Sequence, residues 1–250
     1  MKVLLAFPFR DMDGSRAPLY HQTLRVVGQM YPWDAIIEVD SGHESFNRAA
    51  TRNLAMEYGQ INNFDIVVVN DADSVASEWA MSEAINGAHS DNLIHFPFDT
   101  FYELIPKATA QVGVQSIEIL KQRAYGKGQS EGGIWVCKPE VWFKAGGQDE
   151  RFAGWGCEDR AFLSATHTLV GKSVKHQGPL FCMYHDRSTN NAASWIPEEV
   201  DLLVQYNDAY QQPEKMREII DGRSYYSVPF EATAEECGPT IRELPRDLYC

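Results

Sequence analysis

Apolar runs of strand length alternate with helical apolar stripes along residues 2–98. The runs are Lys2 to Phe9, Asp34 to Asp40, Phe64 to Val69 and Asn92 to Phe98. Four consecutive apolar residues from Ile66 are typical of a central strand that is covered on both faces. Between the runs lie helical patterns, such as Ala50, Leu54 and Tyr58 on one face of a helix. This alternation predicts an α/β fold with a mainly parallel central sheet flanked by helices.

The alternation ends after Asp99, and the elements that follow are more varied. Strands are predicted over Gly133–Lys138, Ser173–His176 and Leu180–Tyr184, and helices over Glu158–Val170, Pro197–Gln211 and Pro213–Gly222. The chain has 250 residues and 44% hydrophobic content, which suits one large domain. We expect that domain over residues 1–230 and a C-terminal tail over 231–250.

Charge and cysteine content argue against several classes of protein. A net charge of −13 without a Lys/Arg run disfavours a nucleic acid partner. The five cysteines include no CxxC pair, so neither a zinc site nor a disulfide framework is predicted. The apolar N-terminal run stops at Phe9, and no stretch reaches the ~20 apolar residues of a membrane helix. We therefore expect a soluble, cytoplasmic protein with no membrane partner.

Two Asp-x-Asp triplets follow predicted strands, where ligands bind in open α/β sheets. Asp71-Ala72-Asp73 comes directly after the most apolar strand, and Asp11-Met12-Asp13 lies a little beyond the first. Adjacent carboxylates repel each other unless a cation joins them. The first triplet is therefore either a metal site or a turn that caps a helix.

Other polar residues near strand ends have a structural and a functional interpretation. His185 follows the strand at Leu180, and an imidazole beside carboxylates suits Mn²⁺ and similar ions, although a lone histidine is usually structural. Arg10, Arg16 and Arg48 either form surface ion pairs or, together with a cation, bind a diphosphate.

Glycines, tryptophans and acids are concentrated between Gly132 and Leu163. Gly154-Trp155-Gly156 stands just before Glu158-Asp159, at the start of a predicted helix. The acids either complement the helix dipole or supply a general base. Trp155 either packs in the core or offers a flat face to a sugar ring.

Taken in order, these motifs resemble those of metal-dependent glycosyltransferases of the GT-A fold, most closely the β1,4-galactosyltransferases. The polypeptide N-acetylgalactosaminyltransferases share part of the pattern. The matching blocks are Pro8-Phe9-Arg10, Phe46-Asn47-Arg48-Ala49, Asp71-Ala72-Asp73, Gly132-Gly133, Gly154-Trp155-Gly156-Cys157-Glu158-Asp159 and His185-Asp186-Arg187. They span residues 2–190, and the ordered set is specific.

The resemblance implies a role for each block. Donor contacts are implied for Pro8, Phe9, Arg10, Arg16, Phe46, Asn47, Arg48, Asp71, Ala72 and Asp73. Asp73, His185 and Asp71 are the implied ligands of Mn²⁺ or Mg²⁺. Asp159 is the implied catalytic base, with Glu158 beside it. Acceptor or sugar contacts are implied for Gly132, Gly133, Trp155, Gly156 and Arg160.

The chain also departs from the family pattern. Cys182 stands where the galactosyltransferases have a methionine three residues before the metal-binding histidine, which affects the third ligand and the metal preference. Arg160 replaces an aspartate that helps to hold the acceptor, which argues against N-acetylglucosamine. Stem, signal anchor and disulfides are missing, so we expect a free-standing catalytic domain of bacterial or phage type, in the host cytoplasm if viral.

The resulting hypothesis is direct displacement with inversion, on a UDP-sugar donor, with Asp159 taking the proton of an acceptor hydroxyl. The metal acts as a Lewis acid on the leaving diphosphate. The related N-acetylgalactosaminyltransferases retain configuration. A sugar- or nucleotide-binding module without turnover, and a nucleotidyltransferase, are the alternatives. A glycan, a protein side chain or a modified nucleobase could be the acceptor, and the negative charge counts against the last.

Overall fold

The computed structural model describes residues 1–11, 14–153, 157–185, 196–223 and 238–249. The strands are β1 Val3–Pro8, β2 Ala35–Asp40, β3 Ile66–Asn70, β4 Ser74–Ala76, β5 His95–Phe96, β6 Thr100–Leu104, β7 Ala124–Gly128, β8 Ile134–Cys137, β9 Val174–Lys175, β10 Pro179–Cys182 and β11 Thr240–Glu243. The helices are α1 Ala17–Val27, α2 Arg48–Ile61, α3 Glu78–Ser90, α4 Pro106–Thr109, α5 Ile117–Gln122, α6 Pro139–Lys144, α7 Cys157–Leu169, α8 Pro197–Asp208 and α9 Pro213–Asp221. In these parts of the chain, each helix is too short or too polar to cross a bilayer.

The central sheet has seven strands in the order β11-β2-β1-β3-β8-β5-β9. β1 pairs in parallel with β2 and β3, and β5 with β9. β8 and β11 run against their neighbours in this sheet. All residues of β1 and β3 are buried, as their continuous apolar runs predict for strands covered on both faces. The prediction of a mainly parallel sheet flanked by helices is confirmed.

One strand of the sheet lies where the sequence order did not place it. The strand predicted over Asn92–Phe98 is reduced to β5, and β5 does not pair with β3. β8 lies between them and is antiparallel to both, with Val136 opposite Val68 on one side and His95 on the other. The chain reaches β8 only after an excursion through a second sheet, so neighbours in sequence are not neighbours in space.

The second sheet has the order β4-β10-β6-β7 and continues from the carboxyl end of β3. β4 begins directly after the Asp71–Asp73 triplet, and β10 pairs with it so that Cys182 lies opposite Ser74. The Met183 N–H donates to the Asp73 carbonyl at 2.9 Å. These pairings hold the segment that leads to His185 against the acidic loop.

The buried face of α2 differs from the one that its apolar residues predict. Leu54 and Tyr58 are only partly buried, whereas Arg52, Met56 and Gly59 are buried. A Cβ on Gly59 would collide with the side chain of Val67 on β3, so glycine allows the helix to lie close to the sheet. The helix therefore faces the interior with the side that carries Arg52 and Met56, rather than with the side that carries Leu54 and Tyr58.

The C-terminal part of the chain adds to both the sheet and a helical layer. α8 and α9 pack against α7 around residues that include Tyr206 and Met216. β11 pairs with the outer edge of β2, and Leu244 is buried. The stretch expected to form a tail therefore contains an edge strand of the central sheet.

Candidate active site

The carboxyl ends of β1 and β2 meet at one edge of the sheet, where Arg10 is fixed by several contacts. Its guanidinium donates to both carboxylate oxygens of Asp40 at 2.6 Å and to the His43 carbonyl at 2.6 Å. It also lies 5.8 Å from the ring centre of Phe46. Arg10 and Phe46, both predicted to contact the donor, are therefore neighbours beside the sheet.

The other two residues of the first motif support the fold. Pro8 is buried at the end of β1. Phe9 stacks on Tyr20 of α1, with ring centres 4.1 Å apart. Because these two residues are packed in the core, they fix the backbone position from which the Arg10 side chain extends.

The start of α2 is built by the Phe-Asn-Arg-Ala motif. The Asn47 side chain accepts the Ala50 N–H at 2.9 Å and so caps the helix. Its amide also donates to the Glu150 carbonyl at 2.8 Å. Arg48 then reaches across to α7, where its Nε donates to Glu158 Oε1 at 2.7 Å.

Asp73 and His185 come together at the end of β3. Asp73 Oδ2 lies 3.3 Å from His185 Nε2 and 3.1 Å from Arg16 Nη1. Burial raises the pKa of Asp73, but the hydrogen bond from His185 and the charge of Arg16 outweigh it and lower the pKa. Ala72 packs against the core beside it. Within the described ranges, no group of three or more His, Cys, Asp or Glu side chains is arranged to hold a metal ion.

Asp71 points to a different partner from Asp73. Both of its carboxylate oxygens accept from Arg52 Nη2, at 2.9 and 3.1 Å. Burial raises its pKa, and the charge of Asp73 adds to that rise although Arg52 opposes it. The structure thus separates the two acids of the triplet, one facing His185 and the other facing Arg52.

Arg52 is the residue on which the site converges, and no sequence motif singled it out. Its side chain is 1% exposed. Nη1 donates to Asp159 Oδ1 at 2.7 Å and to Gln148 Oε1 at 3.1 Å. Its spacing of four residues from Arg48, on one face of a helix, is the signal that could have identified it.

The acidic pair at the start of α7 lies within this network. Burial and the neighbouring carboxylates of Glu158 and Asp71 raise the pKa of Asp159 to about 7, against the opposing charge of Arg52. Burial also raises the pKa of Glu158, but the guanidinium groups of Arg48 and Arg52 lower it below its usual range. The two adjacent acids therefore differ in their readiness to bind a proton.

Gly132 borders the Asp159 carboxylate, and Gly133 contacts the backbone of Asp71. Gln148 and Arg52 both donate to Oδ1, whereas a Cβ on Gly132 would collide with Oδ2. Gly133 has φ +106°, a conformation that favours glycine, and its carbonyl accepts the Asp71 N–H at 2.8 Å. Glycines here let the backbone pass close to both acids.

The remaining predicted acceptor residues are at the rim or outside the described residues. Arg160 is exposed and its Nε lies 3.6 Å from Glu131 Oε2. Trp155 and Gly156, with Gly154, lie outside the described residues, as do Asp13, Asp186 and Arg187. Cys182 is a free thiol 3.7 Å from Ser74 Oγ, and burial with the charge of Asp73 raises its pKa.

Solved structures of other proteins resemble this one to different degrees. The catalytic domain of Drosophila β1,4-galactosyltransferase 7, in complex with xylobiose, has a TM-score of 0.55 at 15% identity, covering 82% of this chain and 80% of that chain. GalNAc-T7 with UDP, GalNAc and Mn²⁺ has a TM-score of 0.48 at 11% identity, covering 88% and 54%. Glucosyl-3-phosphoglycerate synthase from Mycobacterium tuberculosis, with Mn²⁺, UDP-glucose and phosphoglyceric acid, has a TM-score of 0.45 at 10% identity, covering 86% and 80%.

The first of these likenesses establishes the fold, and the other two are too weak to add to it. No family model matches the sequence, and no curated protein matches it either. The chain has the GT-A fold that its motifs predicted. At 15% identity the likeness extends to the fold alone, so the chemistry must be argued from the side chains.

Proposed function

We propose that this protein is a metal-dependent glycosyltransferase that moves a hexose from a UDP-sugar to an acceptor hydroxyl, with inversion. The observation that carries the proposal is the meeting of Asp73 with His185 at the carboxyl edge of a GT-A sheet. Asp159, the proposed base, is tied to the same edge through Arg52. Ligands of open α/β sheets bind at this edge.

Asp73 and His185 fit a divalent cation that keeps most of its coordination for substrate and water. A carboxylate oxygen and an imidazole nitrogen 3.3 Å apart are ligands that suit Mn²⁺. Mg²⁺ is likewise commonly bound by one or two carboxylates together with substrate phosphates. Asp71 borders the site while Arg52 occupies its oxygens. When bound, the ion supplies positive charge against the leaving diphosphate.

The donor is held by the arginines on the same side. Arg10 and Phe46 form one wall for the nucleotide, and the salt bridge to Asp40 fixes the guanidinium. Arg16 pairs with Asp73 and is partly exposed, so it is placed to turn toward a diphosphate. Pro8, Phe9, Asn47 and Ala72 support these residues from the core and the helix cap.

Asp159 is placed to accept the proton of the acceptor hydroxyl. Its Oδ1 is anchored by Arg52 and Gln148, whereas Oδ2 faces the Gly132 backbone. A base whose pKa is near 7 can be ionised at neutral pH and still bind a proton in the transition state. As the proton leaves, the acceptor oxygen bonds to the anomeric carbon and the bond to the diphosphate oxygen breaks with its electron pair.

A screen of nucleotide sugars for Mn²⁺-dependent UDP release tests the proposal. We expect turnover in the wild-type chain, and loss of Mn²⁺-dependent donor binding by calorimetry in Asp73→Asn. Asp11→Asn, in the other Asp-x-Asp triplet, is the matched control and should retain both. Donor binding without any turnover would instead indicate a binding module. Pyrophosphate release from a nucleoside triphosphate would indicate a nucleotidyltransferase, and either result would refute the proposal.

A further inference from the structure

One buried guanidinium joins the donor side of the site to the acceptor side. Arg52 Nη2 contacts both oxygens of Asp71, which follows β3, and Nη1 contacts Asp159, at the start of α7. The Arg52 side chain is 1% exposed, whereas Asp71 is 27% and Asp159 17% exposed, so water screens these contacts only in part. Two elements that are distant in sequence are thus connected through a single side chain.

The shape of the guanidinium group makes this connection rigid. The guanidinium is planar, so its terminal nitrogens keep a fixed separation and orientation. Gln148, itself 1% exposed, accepts from Arg52 and donates to Asp159, which adds a second link between the same two side chains. A displacement of Asp71 should therefore displace Asp159 as well.

The charges in this cluster also make the two acids compete for one cation. Asp71, Glu158 and Asp159 are carboxylates, and among the described residues only Arg48 and Arg52 form salt bridges with them. Because one guanidinium makes both sets of hydrogen bonds, a shift of Arg52 toward Asp71 weakens its contact with Asp159. A ligand that changes the surroundings of Asp71 must then change the attraction between Arg52 and Asp159.

We propose that Arg52 is a positioning residue that couples occupancy of the donor site to the placement of the proposed base, Asp159. This inference rests on the proposed function and deepens it. Coupling between two sites acts in both directions, so we expect a change at Asp159 to alter the affinity for the donor. Donor affinity is therefore a readout of the acceptor-side acid, and the effect must pass through Arg52.

A double-mutant cycle tests this coupling, with UDP and Mn²⁺ as the probes and isothermal titration calorimetry as the measurement. In the wild-type background, Asp159→Asn should change the UDP Kd about fivefold, the lower end of typical coupling. In an Arg52→Met background, which removes the guanidinium but keeps bulk, the same substitution should change the Kd by less than about twofold. In an Arg52→Lys background, Asp159→Asn should likewise change the Kd by less than about twofold, because one ammonium group cannot hold both acids.

Arg223 provides the matched control. It is also a buried arginine with a buried aspartate partner, but its salt bridge is with Asp149 rather than with Asp71 or Asp159. In an Arg223→Met background, Asp159→Asn should still change the Kd about fivefold.

The outcomes separate this inference from the proposed function. If the wild-type protein shows no Mn²⁺-dependent UDP binding, the proposed function is refuted, and the inference that rests on it is refuted too. If the wild-type protein binds UDP, two results overturn the coupling alone. One is an Asp159→Asn effect of equal size in the wild-type, Arg52→Met and Arg52→Lys backgrounds, and the other is an unchanged Kd in the Asp159→Asn single variant. If Arg52→Met does not fold, the Arg52→Lys cycle decides the question by the same criterion.

Discussion

Two groups of charged side chains in this molecule each surround a buried acid, Glu158 in one and Asp149 in the other, but they differ in their balance of charge. The site cluster consists of Arg48, Arg52, Asp71, Glu158 and Asp159. The support cluster, beneath α8 and α9, consists of Asp149, Arg151, Tyr206 and Arg223. In the support cluster two guanidinium groups serve one carboxylate, whereas in the site cluster two guanidinium groups are shared by three.

The balance of charge sets the protonation behaviour of each aspartate. Burial raises the pKa of Asp149, but hydrogen bonds from Arg151 and the charge of Arg223 outweigh it and lower the pKa. Burial raises the pKa of Asp159 to about 7, because desolvation and the neighbouring acids outweigh what Arg52 offers. An aspartate with more guanidinium partners than competing acids stays ionised and stabilises the fold. An aspartate that shares its guanidinium partner with other acids binds a proton more readily.

The largest expected effect comes from neutralising one acid in each cluster. Asp159→Asn should lower transfer by about a thousandfold, because the amide cannot accept the acceptor proton. UDP affinity should stay within about tenfold, since the donor residues are intact. Asp149→Asn should instead destabilise the fold by about 3 kcal/mol, because it breaks a buried ion pair. Initial rates and denaturant unfolding measure the two effects, and normal turnover of Asp159→Asn would remove Asp159 as the base.

The glycine beside Asp159 offers the next test. Gly132→Ala places a methyl group against Oδ2, and we expect transfer to fall about a hundredfold as the carboxylate is displaced. Gly128→Ala is the matched control, because no atom lies within 4 Å of a Cβ built there. Rates of both variants relative to wild type measure the effect. Equal rates for the two variants would show that the position of Oδ2 is unimportant.

The two clusters should also respond oppositely to pH. Transfer should fall about tenfold per unit well below pH 7, because a protonated Asp159 cannot act as a base. A folded-state pKa above the usual 3.8 stabilises the fold at low pH, and that stabilisation is lost as pH rises through about 7. Asp149, whose pKa is lowered, contributes stability above pH 3.8 that is lost as pH falls further.

Unfolding free energies measured across this range test the assignment. Relative to wild type, Asp159→Asn should be more stable at pH 8 than at pH 5. Asp149→Asn should be least stable, relative to wild type, at neutral pH. A pH-independent difference for Asp159→Asn would mean that its pKa is ordinary in the folded state.

The smallest expected effect concerns the helix that carries both arginines of the site cluster. Asn47→Ala removes the cap of α2 and should cost about 1 kcal/mol of unfolding free energy. Asn47→Ser should restore most of that stability, since serine also caps. If serine and alanine are equally destabilising, the hydrogen bond to the Glu150 carbonyl, rather than the cap, is what matters.

Much of the framework could be predicted from local patterns. The buried strands β1 and β3 follow from continuous apolar runs, and α7 begins within a residue of its predicted start. The position of Asp71 and Asp73 after β3 also follows from local sequence. The place of β8 between β3 and β5 could not be predicted, because strand pairing joins residues far apart in the chain.

The roles of the site residues remain predictions, and for the site, too, some features follow from the sequence and others only from the tertiary structure. The sequence by itself determined which groups are available: two acids after a buried strand, an acidic pair opening a helix, and a histidine after another strand. The resemblance implies that Asp73 and His185 lie together, as they do, whereas only the tertiary structure decided that Asp71 meets Arg52. A glycine on α2 brings that helix against the sheet, and an arginine of the same helix is buried among acids from two distant segments. Burial and charge balance are properties of the assembled neighbourhood, so no local pattern encodes them.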